Sequence, residues 1–89
     1  MYITSLEVAG MTGKKHNHLL RDIEKYKEYL AEFNIPVEGC FIESTYRAGT
    51  GQKYKKYLLT RKGCGVVACN MTARKGTEFT HKYSEWFGK

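Results

Sequence analysis

TSLEVAGMTGKKHNHLLRDI, residues 4–23, holds two helical segments around a break. Thr4 and Glu7 have the spacing of a capping box, in which the N-cap hydroxyl and the N3 carboxylate each satisfy a free backbone N–H. Ile3 and Val8 stand where a hydrophobic staple would, one before the cap and one at N4. A short helix is therefore expected from Ser5, weakened by Gly10. Gly13 takes positive φ without steric cost, which suits a tight turn between helices. Beyond the turn the chain is cationic and polar: Lys14, Lys15, His16, Asn17 and His18 precede the first apolar residue, Leu19.

Outward from this stretch, the pattern changes twice. Leu19, Leu20, Ile23, Tyr26, Leu30 and Phe33 recur at helical spacing, so a second helix is expected over about 15–33. Its outer face carries Arg21, Glu24, Lys25, Lys27, Glu28 and Glu32, and Pro36 closes the region. From Cys40 the period becomes two. FIESTYR and KYKKYLLT flank a turn with two glycines, which reads as a β-hairpin of 41–47 with 53–60. Thr60 precedes RKGCGVVACNM, a short helix despite Gly63 and Gly65. Thr72 can cap a last helix with Phe79, Tyr83, Trp86 and Phe87 on one stripe.

The 89 residues make one domain, 1–89, with a small core. The longest apolar run, Gly63 to Cys69, is far below the ~20 residues of a membrane span, and no secretory leader is visible. A soluble, intracellular protein is expected. Cys40, Cys64 and Cys69 are odd in number and lack a C-x-x-C spacing, which argues against a disulfide framework. Net charge is +6, unevenly spread. Residues 1–40 carry five Lys/Arg against six Asp/Glu; residues 41–89 carry ten against three. Two blocks, Met11–Arg21 and Ser44–Lys62, contain three and six cations and no acid. Such blocks favour a polyanionic partner, usually nucleic acid, or else form a solvated basic surface.

The expected architecture is α+β: a winged helix-turn-helix, with helix-turn-helix 4–33, hairpin wing 41–60 and two C-terminal helices over 61–88. In such a fold the second helix presents its first turns to the major groove of double-stranded DNA. Lys14 and Lys15 then meet phosphate. Asn17 can pair with adenine, Arg21 can fork onto guanine, and His18 lies one turn before Arg21. The competing reading of Arg21 is an ordinary ion pair on the helix surface. On the hairpin, Arg47, Lys53, Lys55 and Lys56 are the phosphate candidates. The interleaved Tyr46, Tyr54 and Tyr57 read as cross-strand packing rather than base-stacking platforms.

Other chemistry finds little support. His16 and His18 point to different helix faces and make a poor metal pair; His16 reads as a cap or core-edge residue. Cys64 and Cys69, among Val and Ala, read as core. The final aromatics read as core or as a homodimer face on the C-terminal helix. Phosphate-cradling glycine motifs are absent, so no enzyme, cofactor, metal or small-molecule substrate is expected. Two rivals remain: a protein-binding module of antirepressor type, using residues 22–32 and the final aromatics, and a sequence-neutral nucleic-acid binder using the hairpin alone.

Several pieces occur together: Thr4-Ser5, Val8-Ala9, Thr12-Gly13-Lys14 with His16, and Arg21-Asp22-Ile23. Then come Phe41, Ser44 and Tyr46, and after them Tyr57-Leu58-Leu59-Thr60, Lys62-Gly63, Met71-Thr72, Lys75, Phe79, Lys82-Tyr83 and Phe87. In this combination, over nearly its whole length, the chain resembles the phage regulatory protein Rha family. The resemblance implies a phage- or prophage-encoded protein of the bacterial cytoplasm that regulates genes through DNA. The contact residues named for DNA rest on the helix-turn-helix argument, not on the family.

Overall fold

A computed structural model describes residues 1–88. Four helices and a three-stranded antiparallel sheet run in the order β1 (Ile3–Thr4), α1 (Ser5–Thr12), α2 (His16–Glu32), β2 (Phe41–Arg47), β3 (Lys53–Leu59), α3 (Arg61–Cys69) and α4 (Ala73–Phe87). One 3₁₀ turn, Val37–Gly39, links α2 to β2. The α+β class expected from the sequence is what the chain adopts.

Local chemistry sets most boundaries. Thr4 Oγ1 accepts from Glu7 N at 3.2 Å, and Glu7 Oε1 accepts from the Thr4 backbone N–H at 3.4 Å, closing the capping box. Gly13 ends α1 with φ 69°, the left-handed conformation that glycine adopts freely. Thr60 and Thr72 cap α3 and α4 through their hydroxyls, which accept from Gly63 N and Lys75 N.

The sheet order is β1-β3-β2. The hairpin pairs Arg47 with Lys53 at its outer end and Phe41 with Leu59 at its inner end. The turn closes through Ala48 N to Gln52 O and Gly51 N to Ala48 O, with Gly51 at φ 83°. β1 adds Ile3 and Thr4 opposite Leu59 and Leu58, a third strand that its two-residue length leaves without an alternation signal.

Sheet and helices share one core. Ile3, Val8, Leu19, Ile23, Leu59, Cys64, Val67 and Phe79 are fully or almost fully enclosed. Two expectations need correction. Phe33, read as the end of the α2 stripe, is 74% exposed, because α2 stops at Glu32 and Asn34 turns the chain at φ 56°. Cys69, read as core, is exposed at the end of α3. Of the two readings of the final aromatics, the structure shows the core one: Phe79 and Tyr83 are buried, and Trp86 and Phe87 pack against the same core. Burial pushes the Cys64 thiol up to about 12, as suits an inert core residue.

Gly63, a weak point for a helix by propensity, is where α3 meets the chain before β2. A Cβ there would stand 2.2 Å from the Cys40 carbonyl oxygen, while a Cβ at Gly65 meets only the Tyr83 hydroxyl at 3.7 Å. The two glycines should therefore respond oppositely to alanine. Gly63→Ala is expected to cost about 2–3 kcal/mol by overpacking, whereas Gly65→Ala gains up to about 1 kcal/mol of helix propensity. Urea unfolding of the two variants measures the contrast.

Candidate nucleic-acid interface

The site is assembled by one buried hydroxyl. Ser5, the first residue of α1, is fully enclosed. Its Oγ accepts from the backbone N–H of Tyr57 at 3.0 Å and lies 2.8 Å from His16 Nε2. The start of α1, the middle of β3 and the first turn of α2 thus meet at one oxygen. With Tyr57 N–H donating to Oγ, the hydroxyl hydrogen is free to be donated to an unprotonated Nε2. Burial lowers the His16 pKa, which keeps that imidazole neutral at pH 7.

A second attachment lies two turns along α2. The buried Tyr57 hydroxyl donates to Glu24 Oε2 and accepts from Lys27 Nζ at 3.0 Å. Lys27 and Lys55 also place their ammonium groups 5.2 and 5.0 Å from the Tyr57 ring centroid. The Tyr57 bond, aided by Lys27 and Lys55, holds the Glu24 carboxyl below the usual range. The same hydroxyl raises the pKa of both lysines.

These attachments orient the hairpin. Tyr57 sits well inside the hairpin and grips Glu24 and Lys27. Tyr46, one residue from the outer end of β2, lies edge-on to His16 at 6.0 Å and packs across the strands against Tyr54 at 5.8 Å. Moving outward along the hairpin therefore means moving toward the N-terminus of α2. The outer part of the hairpin, at Tyr46, thus meets His16 at the start of the helix.

The nine candidate residues fall into two groups. Lys15, Asn17, His18, Arg21, Arg47 and Lys53 are exposed, and Lys56 is half-buried. Among the described residues Lys15, Arg21, Arg47, Lys53 and Lys56 make no ion pair. The Asn17 carboxamide oxygen accepts from His18 N at 3.0 Å. Lys14 and Lys55 are engaged within the fold. Lys14 Nζ is 2.5 Å from Asp22 Oδ2, and Lys55 lies 3.5 Å from Glu24 and 3.7 Å from Glu43. Sequence reasoning missed Ser5 and the fastening of the hairpin to α2 through Tyr57; Ser5 lies 52 residues from its Tyr57 partner, so no local pattern announces the contact. The tyrosines do serve packing: Tyr57 against α2, and Tyr46 with Tyr54 across the hairpin.

Fold and site together define a small α+β domain that clamps a basic hairpin along the basic end of its longest helix. The chain belongs to the phage regulatory protein Rha family, which it matches over residues 3–89. It is 44% identical over 87 residues to a Bacillus subtilis (strain 168) protein named "SPbeta prophage-derived putative antirepressor protein YoqD". That match covers 98% of this chain and 35% of the relative, so the chain spans about a third of the relative's length. No solved structure matches the chain. No helix among the described residues is long and apolar enough to cross a membrane.

Tyr57→Phe tests the clamp. Removing one hydroxyl shared by half-exposed charges is expected to cost about 1 kcal/mol at pH 7, after allowance for solvent screening. Glu24 is the group with the depressed pKa, so its contribution is present above the ordinary carboxylate range and is lost as pH falls through its lower folded value. The difference between wild type and variant in urea unfolding should shrink from pH 7 toward pH 3.

Proposed function

We propose that this chain is a winged helix-turn-helix domain that binds double-stranded DNA in the service of phage gene regulation. The observation that carries the reading is the adjacency of two basic elements: α2's opening and the outer hairpin, held together by the Ser5–His16 and Tyr57–Glu24–Lys27 contacts. The order β1-β3-β2, with two helices inserted between β1 and β2, supports it. So does membership of a phage regulatory family.

In this reading α2 enters the major groove at its N-terminal end. Arg21 reads guanine O6 and N7, Asn17 reads adenine, and His18 lines the same edge. Lys15, Arg47, Lys53 and Lys56 contact phosphate, which sets register and affinity but carries no sequence information. Lys14 contributes less, because Asp22 already neutralises it, and Lys55 mainly holds the hairpin to α2. The domain works by binding in the bacterial cytoplasm, not by catalysis, and takes no cofactor.

A second reading is favoured by one observation. Tyr29, Phe33 and Ile35 are 43%, 74% and 44% exposed around the C-terminal end of α2. That apolar cluster suits a protein partner, and the Bacillus relative carries an antirepressor's name. An antirepressor acting on another regulator would use this end of the helix rather than its opening.

Fluorescence anisotropy with labelled duplexes across a salt series separates the readings. Four phosphate contacts from Lys15, Arg47, Lys53 and Lys56 give a slope of log K against log salt of about −4. Arg21→Ala is expected to cost about 1–3 kcal/mol on a selected site and almost nothing on random duplex. Absence of binding at low salt would favour the protein partner; equal loss on every duplex would favour a sequence-neutral binder.

A further inference from the structure

Beside α2's opening lies a cleft of about 430 Å³. One wall is the α1–α2 turn, with Lys14, Lys15 and His18; the other is the α3–α4 turn, with Asn70, Thr72 and Lys75. No acidic side chain lines it. Asp22 neutralises Lys14, yet Lys15 and Lys75 remain without an ion pair among the described residues, facing one cleft from two separate elements. Like charges brought together in this way repel each other unless an anion lies between them.

We infer that this cleft seats a backbone phosphate of duplex DNA, making Lys75 on α4 a binding residue, with Asn70 and Thr72 as neutral hydrogen-bonding partners. The inference rests on the DNA-binding reading and extends the footprint beyond α2 and the hairpin to the α3–α4 turn. Continuity argues for a duplex rather than a free anion. His18 lines the cleft and also stands one helical turn before Arg21, so a backbone bordering the groove that Arg21 enters passes over the cleft. A phosphodiester can accept from Lys15 and Lys75 together, and each such contact displaces counterions from the DNA.

The test uses the full chain and Lys75→Gln, with Lys62→Gln as a control because Lys62 is an exposed cation that does not line the cleft. Affinity for a duplex is measured across salt, and circular dichroism and urea unfolding verify that each variant is folded. Lys75→Gln is expected to make the salt slope shallower by about one and to weaken binding roughly five- to tenfold near 0.1 M salt, equally on selected and random duplexes. Lys62→Gln is expected to change neither. A folded Lys75→Gln with wild-type slope and affinity overturns the inference while leaving the DNA-binding reading intact. A wild type that binds no duplex overturns both. Inorganic phosphate at constant ionic strength gives the last arm: if it shifts the Lys75 and Asn70 amide resonances as strongly as the duplex does, the cleft is a free-anion site and the backbone assignment falls.

Discussion

The arrangement depends on a single oxygen, Ser5 Oγ, in a residue with no exposure to solvent. It takes over where β1 ends. The backbone of β3 continues past the two residues of β1, and Tyr57 N–H, which would otherwise be buried without a partner, donates to the serine hydroxyl instead. An unsatisfied buried donor would cost about 1–3 kcal/mol. The same hydroxyl faces His16 and so fixes where α2 begins. Tyr57 is then used a second time, its side chain meeting Glu24 and Lys27. One residue of β3 thereby registers the sheet to α1 through its backbone and to α2 through its side chain.

This explains how charge is distributed between structure and surface. Lys14, Lys27, Lys55 and Lys82 lie within reach of a carboxylate, so their charge is partly offset within the fold. Lys15, Arg21, Arg47, Lys53, Lys56 and Lys75 make no ion pair among the described residues, so their charge is not offset within the fold. A block of basic sequence is therefore not a block of free charge. Lys55 ties the hairpin to Glu24 of α2, while Tyr46, the neighbour of Arg47 in sequence, meets His16 at the start of that helix.

Short-range chemistry decides the features that could be read in the sequence. The Thr4–Glu7 box, the turn at Gly13, the stripe through Leu19, Ile23, Tyr26 and Leu30, and the hairpin 41–47 all arise from neighbours within a few residues. The remainder depends on contacts between distant segments. Gly63 weakens a helix in isolation, yet close passage over the Cys40 carbonyl requires it. Gly76 likewise leaves only 2.7 Å between a would-be Cβ and the Ala68 carbonyl oxygen. Phe33 continues the apolar spacing of α2 but lies past its last turn, where periodicity no longer fixes a face. For the candidate site, the exposed opening of α2 was legible because apolar residues are missing from it. The pairing of Lys14 with Asp22 and the cleft wall at Lys75 were not, since an ion pair eight residues apart and a turn about sixty residues away leave no mark in local pattern.

If the start of α2 and the outer hairpin form one continuous surface for duplex DNA, both must respond when a duplex is added. Amide chemical-shift mapping of the isotope-labelled chain with a short duplex reads this out residue by residue. Shifts should concentrate on residues 14–21 and 47–56 together, with residues 29–35 unmoved. Shifts confined to residues 29–35, or to the hairpin with α2's opening silent, would contradict a shared surface.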